Sequence, residues 1–176
     1  MKKNLLLHVC CGVCASRVIE KLLPSYNITG FFYNPNIEPP DEYQHRLQAT
    51  EILFNHYHLD LIRGDYETKT WHDAVTGFEH WAEGGRRCWR CFKLRLEETA
   101  ELSDEKTFPC FATTLTVNPH KDAQFINNWG LYYAKLYNKK YVPINLSADD
   151  RYNLTIAKKL DLYRQKYCGC VYSANI

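Results

Sequence analysis

The chain has 176 residues, 22 Lys+Arg against 20 Asp+Glu for a net charge of +2, and 45% hydrophobic residues. That length supports one domain with a real core and excludes two comfortable ones, and the composition excludes a disordered or collagen-like chain. The mild charge permits an RNA partner without requiring one.

Taken in chain order, "NLLLHVC" reads as a short buried strand, and "HVCCGVCAS" then places Cys10, Cys11 and Cys14 on the turn that follows. Residues 15–23 predict a helix that stops at Pro24. "ITGFFYNP" is a second apolar strand, and 41–57 a helix with Asp41 as its N-cap after two prolines. "LDLIRGD" is a third strand. Residues 66–85 are rich in Trp and His and show no clear periodicity. "GGRRCWRCFKLRLEETAEL" becomes helical after its glycines, "TFPCFATTL" is a fourth strand, and 119–138 a long helix. "KYVPINL" is a fifth strand and 152–166 a last helix, leaving the tail "YCGCVYSANI".

Strands alternating with helices imply a three-layer Rossmann-like α/β domain with a five-stranded, mostly parallel sheet. Residues 1–176 read as a single metalloenzyme domain whose Cys-rich tail, 167–176, closes the site. Ligands in such folds sit outside the carboxyl ends of the strands, where Cys10, Cys11 and Cys14 fall. With only three leucines before His8, no secretory signal is visible and nothing approaches a membrane span, so a cytoplasmic location is expected.

Thiols in that compartment stay reduced. Of eight cysteines, seven lie in three tight groups: Cys10, Cys11 and Cys14; Cys88 and Cys91; Cys168 and Cys170. Clustering of this kind points to metal ligands or redox catalysts. Cys88 and Cys91 share one side of a helix if they begin it, and a helix N-terminus favours thiolate. Gly169 lets the backbone turn Cys168 and Cys170 to one point, and a strained C-x-C disulfide is readily reduced. One tetrahedral zinc or one cubane cluster uses four thiols, so three remain. A purely structural zinc site needs no such surplus. Cys110, inside an apolar strand, reads as a buried inert thiol.

The segments "LLLHVCCGVCAS", "FFYNPNIEPPDEYQHRL", "RCWRCFKLRLEETA", "FATTLTVNPHKD" and "LYRQKYCGCVYS" together resemble the QueH type of epoxyqueuosine reductase, in order and across nearly the whole chain. The resemblance implies reduction of the epoxide of epoxyqueuosine, at the wobble position of a tRNA anticodon, to the alkene of queuosine. It implies a 4Fe–4S cluster with an adjacent mononuclear iron and no cobalamin. Carried over by residue, Cys10, Cys11, Cys88 and Cys91 hold the cluster, while Cys14, Cys168 and Cys170 bind the second iron or act as a redox pair. A low-potential electron donor is implied, and a monomer is expected. His8 and Tyr33, near strand ends, are the nearest candidates for a proton donor, though each more often packs.

Beside the proposed site, Arg86, Arg87, Arg90, Lys93 and Arg95 interleave with Trp89 and Phe92, a pattern suited to RNA loops. Lys158, Lys159, Arg164 and Lys166 form a weaker basic stretch. Two other classes compete. A zinc-stapled RNA-binding module without catalysis would be colourless where iron–sulfur protein is brown. An ATP-using tRNA-thiolating enzyme would need a Ser-Gly-Gly type phosphate loop after the first strand, where this chain has "CCGVCAS". "CCG" also occurs in heterodisulfide-reductase-type cluster domains, but the spacing to the other cysteines does not match. The reductase reading requires the terminal pair to lie at the first turn rather than in solvent.

Overall fold

Leu5, Leu6 and Leu7 have no solvent exposure in β1 (Lys3–His8), the central strand, so a continuous leucine run suits it where an alternating strand would not. The computed structural model describes residues 1–146 and 154–174. In it β1 pairs in parallel with β2 (Tyr26–Phe32) on one side and β4 (Cys110–Thr113) on the other, Leu5 facing Ile28 and Cys110. β3 (Asp60–Arg63) and β5 (Lys140–Tyr141) complete the parallel sheet in the order β3-β2-β1-β4-β5.

Right-handed crossovers place α1 (Gly12–Leu22) and α2 (Pro40–His56), which pack together, on one face. The return past β1 puts α3 (Thr68–Val75), α4 (Arg86–Glu105) and α5 (Ala123–Leu136) on the opposite face, with α4 against β1 and β4. This is the three-layer α/β arrangement that the alternation of strands and helices predicts. Its topological switch point lies between β1 and β4, where ligands gather in such sheets.

Several elements differ from the sequence reading. α2 begins at Pro40 with Pro39 as N-cap, so Asp41 sits in the first turn and not at the cap. The stretch without periodicity contains α3, whose N-cap Glu67 accepts from the amide of Lys69 and which buries Trp71 and Val75. α5 starts only after Asp122, whose carboxylate caps the amide of Phe125 at 2.9 Å. β5 is two residues long: Val142 N–H still reaches Phe111 O at 2.9 Å, but Pro143 has no N–H to continue the ladder. The last predicted helix, 152–166, lies partly outside the described residues. Within them it is the short α6 (Thr155–Lys159), ended by Asp161 at φ 49°.

Candidate metal centre

Cys10 and Thr114 leave β1 and β4 side by side, and the contact between them starts the site. Cys10 N–H donates to Thr114 Oγ1 at 3.1 Å, and the Thr114 hydroxyl donates to Cys10 Sγ at 3.4 Å. Cys11 is the N-cap of α1, its sulfur accepting from Cys14 N–H at 3.3 Å. A thiol here takes the place of the usual hydroxyl or carboxylate cap. The ligand atoms of Cys10, Cys11 and Cys14 lie within 4.8 Å of one another, and all three residues are buried. Gly12 allows this turn to sit tight on α2, since a Cβ there would stand 2.6 Å from Ala49 O.

Three sulfurs this close share protons. The thiols of Cys11 and Cys14 hydrogen-bond Cys10 and hold it well below the ordinary thiol range, with Lys121 and Thr114 contributing. The same contact with Cys10 pushes Cys11 up to about 12 and raises Cys14.

α4 brings the second pair. Gly84 N–H donates to Cys88 Sγ at 3.3 Å, and Arg95 Nη2 donates to Cys91 Sγ at 3.1 Å. Burial pushes Cys88 up to about 11 and raises Cys91. At Cys88 burial works against the thiolate that a helix N-terminus favours, and outweighs the hydrogen bond from the Gly84 amide.

The tail arrives from the far end of the sequence. Arg46, on α2, donates from Nη1 to Cys168 O at 2.9 Å and from Nη2 to Tyr167 O at 3.0 Å. Glu38 N–H donates to Gly169 O at 2.8 Å, and Tyr167 OH to Glu38 O at 2.6 Å. Gly169 sits at φ +122°, a conformation that other residues rarely adopt. Gln165 Nε2 donates to Cys11 Sγ at 3.0 Å. Cys168 is half-buried and faces a cavity of about 540 Å³ that Cys10 and Cys14 also line. Cys170 is buried and packs with Trp71, Val75 and Cys91. Of the terminal pair, then, Cys168 shares the cavity of the first turn, while Cys170 is buried against α3 and α4; among the described residues only the sulfurs of Cys10, Cys11 and Cys14 come within 4.8 Å of one another as a group.

Two cations face these sulfurs. Burial works against the charge of Arg95, but Cys91, Cys168 and Cys10 more than offset it and its pKa rises. Lys121 behaves likewise, its burial outweighed by Cys168 and Cys10. Asn34 and Asn36 also line the cavity, and the Oδ1 of buried Asn36 has no hydrogen-bond partner.

His8 is fully buried between Thr113 Oγ1 at 2.8 Å and Tyr33 O at 3.1 Å, and burial holds it near 3, so it is a neutral clamp. Tyr33 stacks on Phe31, and burial raises it to about 12. Cys110 is buried on β4, away from the other thiols. The basic stretch divides: Arg87, Phe92 and Arg95 are buried, whereas Arg86, Trp89 and Arg90 are exposed and Lys93 half-buried. Arg87 is a structural pin, donating to Glu79 O at 2.8 Å and also to Trp81 O. Lys158, Lys159 and Arg164 are exposed, and Lys166 lines the cavity. Arg46, Thr114, Lys121 and Gln165 also form part of the site; they lie within the segments that carry the family resemblance, but the sequence reading gave none of them a role there.

The donor chemistry fits a thiolate-bound metal. The sulfurs of Cys10, Cys11, Cys88 and Cys91 each accept a hydrogen bond from N–H or O–H, as coordinated sulfur does. No disulfide joins any of the eight cysteines. Three buried sulfurs within one small sphere cannot all ionise without a cation among them.

The family model described as "Epoxyqueuosine reductase QueH" matches residues 5–175. Proteins of that description include one from Streptococcus pyogenes, 36% identical over 100% of this chain and 72% of its own length. Another, from Thermotoga maritima, is 35% identical over 97% of this chain and 90% of its own. Among solved structures, the U34-tRNA thiolase NcsA from Methanococcus maripaludis with its [4Fe-4S] cluster superposes with a TM-score of 0.61. It is 17% identical, over 99% of this chain and 62% of that one. A predicted tRNA methyltransferase subunit from Methanocaldococcus jannaschii has a TM-score of 0.54 at 19% identity, over 88% and 76% of the two chains. These two likenesses establish a shared fold.

Proposed function

The chain belongs to the epoxyqueuosine reductase QueH family, and from that premise we propose that the cavity between β1, α4 and the tail is where the epoxide is reduced. The chain is an oxidoreductase of queuosine biosynthesis, and its substrate is epoxyqueuosine in tRNA. The non-catalytic zinc-stapled module gives way to this reading. The reaction removes the epoxide oxygen as water: two electrons and two protons convert epoxide to alkene plus H2O.

The observation that carries the assignment of the site is the buried trio Cys10, Cys11 and Cys14 at the switch point, of which Cys10 and Cys14 share one cavity with Cys168. In this reading Cys10, Cys11, Cys88 and Cys91 hold a 4Fe–4S cluster. Cys14, Cys168 and Cys170 serve an adjacent mononuclear iron or act as a redox pair, without cobalamin. Such a centre, when bound, supplies electrons and a Lewis acid.

The chain's own side chains prepare the cavity for that chemistry. Lys121 and Arg95 keep positive charge beside it, where negative charge would build on the departing oxygen. Lys121, half-buried and lining the cavity, presents Nζ as a proton donor for the departing oxygen. Asn36 Oδ1, an unpaired buried acceptor, is suited to the N–H edge of a guanine-type base. Electrons come from a low-potential donor outside the chain.

Anaerobic purification with iron and sulfide analysis and Mössbauer spectroscopy, followed by assay on tRNA bearing the epoxide, tests this reading. Iron with acid-labile sulfide and conversion to the alkene are expected; colourless zinc protein without turnover would overturn it.

A further inference from the structure

The exposed residues of the basic stretch fall on one line. Arg86, Trp89, Arg90 and Lys93 share the outward stripe of α4, at the spacing that places residues on one helix face. Arg86 Cζ lies 4.9 Å from the centroid of the Trp81 ring, Arg90 Cζ 4.8 Å from that of Phe78, and Lys93 Nζ 3.4 Å from that of Trp129. Rings hold these cations in place, and among the described residues none of the three is in an ion pair. Burial lowers the pKa of Lys93, and the charge of Arg90 lowers it further, against the opposing effect of the Glu97 carboxylate.

The rings continue across to α5. Trp89 stacks on Phe125 with centroids 4.9 Å apart and planes 18° apart, and Phe125, Trp129 and Tyr132 follow in series. Trp89 is 36% and Tyr132 54% exposed, unusual for aromatic residues that pack only for stability. The strip begins close to the cavity in sequence: Glu83, three residues before Arg86, lines it, as do His120 and Lys121, a few residues before Phe125.

We propose that this face, cations Arg86, Arg90 and Lys93 with rings Trp89, Trp129 and Tyr132, binds the single-stranded loop nucleotides that flank the modified base. The proposal rests on the reductase reading and adds to it a surface and a mode of recognition. Unpaired guanidinium and ammonium groups meet phosphates, and exposed indoles give stacking surfaces that any base accepts. Phosphate contacts outside the cavity would set the register in which the wobble nucleotide enters it. Arg87 and Arg95, buried, take no part. Leu131 and Leu136, exposed on α5, offer the rival occupant, a second copy of the chain.

Binding of a synthetic anticodon stem-loop RNA, with unmodified guanine at the wobble position, to the anaerobically prepared holoprotein tests the surface independently of chemistry. Three phosphate contacts predict that R86E/R90E/K93E loses at least about tenfold in affinity and that its salt slope shrinks by about 2. W89A should lose roughly fivefold or more with the slope unchanged, because stacking is not ionic. K158E/K159E should bind like wild type. R86A/R90A, milder and fully on the surface, repeats the test should the triple variant fold poorly, with metal content as the check. Wild-type affinity and slope in R86A/R90A and W89A would overturn the proposal, as would a dimer in solution that covers the face. If wild type binds the loop but does not reduce the epoxide, the reductase reading falls and the surface stands. If it reduces the epoxide while the charge variants bind normally, the surface falls and the reductase stands.

Discussion

The guanidinium of Arg46 holds the backbone carbonyl of Cys168 at 2.9 Å, across 122 residues of chain. The same group holds Tyr167 O and, through Nε, Glu42 Oε1 at 2.7 Å, while Tyr163 OH donates to the other oxygen of Glu42. One buried ion pair on α2 therefore orders the whole approach to the terminal cysteines. Its two side chains are 4% and 8% exposed.

R46M is expected to cost about 3–5 kcal/mol, because it strands the Glu42 carboxylate in a buried site. E42Q/R46M removes that stranded charge and should recover part of the stability. It cannot restore the two donors to Tyr167 and Cys168. Alkylation of Cys168 in metal-free protein should therefore be faster than wild type in both variants, read by mass spectrometry. Recovery of Cys168 protection along with stability in the double variant would show that Arg46 acts on the fold alone.

The trio at the switch point and the lone thiol of β4 make a second contrast. Serine at Cys10, Cys11 or Cys14 should reduce bound iron in anaerobic protein, since each offers one sulfur to the same small sphere. Cys110→Ala should leave iron content at the wild-type level and cost about 1 kcal/mol, as an ordinary core truncation. Equal iron loss at all four positions would mean that the trio has no special part in holding metal.

Much of this was legible in the sequence, for stated reasons. The leucine run and the alternation of strand-like with helical segments point to a parallel α/β sheet, and the clustering of seven thiols into three groups points to metal or redox chemistry. Arg46 was not legible. Glu42 and Arg46 look like an ordinary surface pair at i and i+4, and only the returning tail buries them. Thr114 and Cys10 meet only because β4 pairs with β1. In α3, an eight-residue helix, two buried residues leave too little pattern for periodicity to register. The basic stretch was read as one patch because spacing alone does not tell which side of α4 faces β1.

Two glycines separate strain at the site from strain elsewhere. A Cβ at Gly12 meets Ala49 O at 2.6 Å, and backbone cannot swing aside, so α1 itself must shift. A Cβ at Gly130 meets the Tyr141 ring at 2.5 Å, at the β5 end of the sheet. Both G12A and G130A should destabilise by about 1–3 kcal/mol in urea unfolding. Only G12A moves the turn that carries Cys11 and Cys14, so only G12A should also lower iron content. Matching iron loss in G130A would indicate a general fold defect.

The terminal pair allows the two versions of the chemistry to be told apart. Cys168 faces the cavity beside Cys10 and Cys14, while Cys170 packs against Trp71 and Cys91. C168S and C170S should each abolish turnover, whether the sulfur is a ligand or half of a redox couple. Iron content distinguishes these roles. A ligand role predicts that the variant loses the iron in excess of the cluster, with its Mössbauer component. A redox role predicts full iron, together with loss of the two thiols that wild type shows to labelling after reduction and conceals after oxidation. Because Arg46 grips the backbone of Cys168 and not its sulfur, neither substitution disturbs the strap, and the tail should stay protected from protease in both. Near-normal turnover in either variant would remove that sulfur from the reaction altogether, leaving the switch-point trio and the α4 pair to carry it.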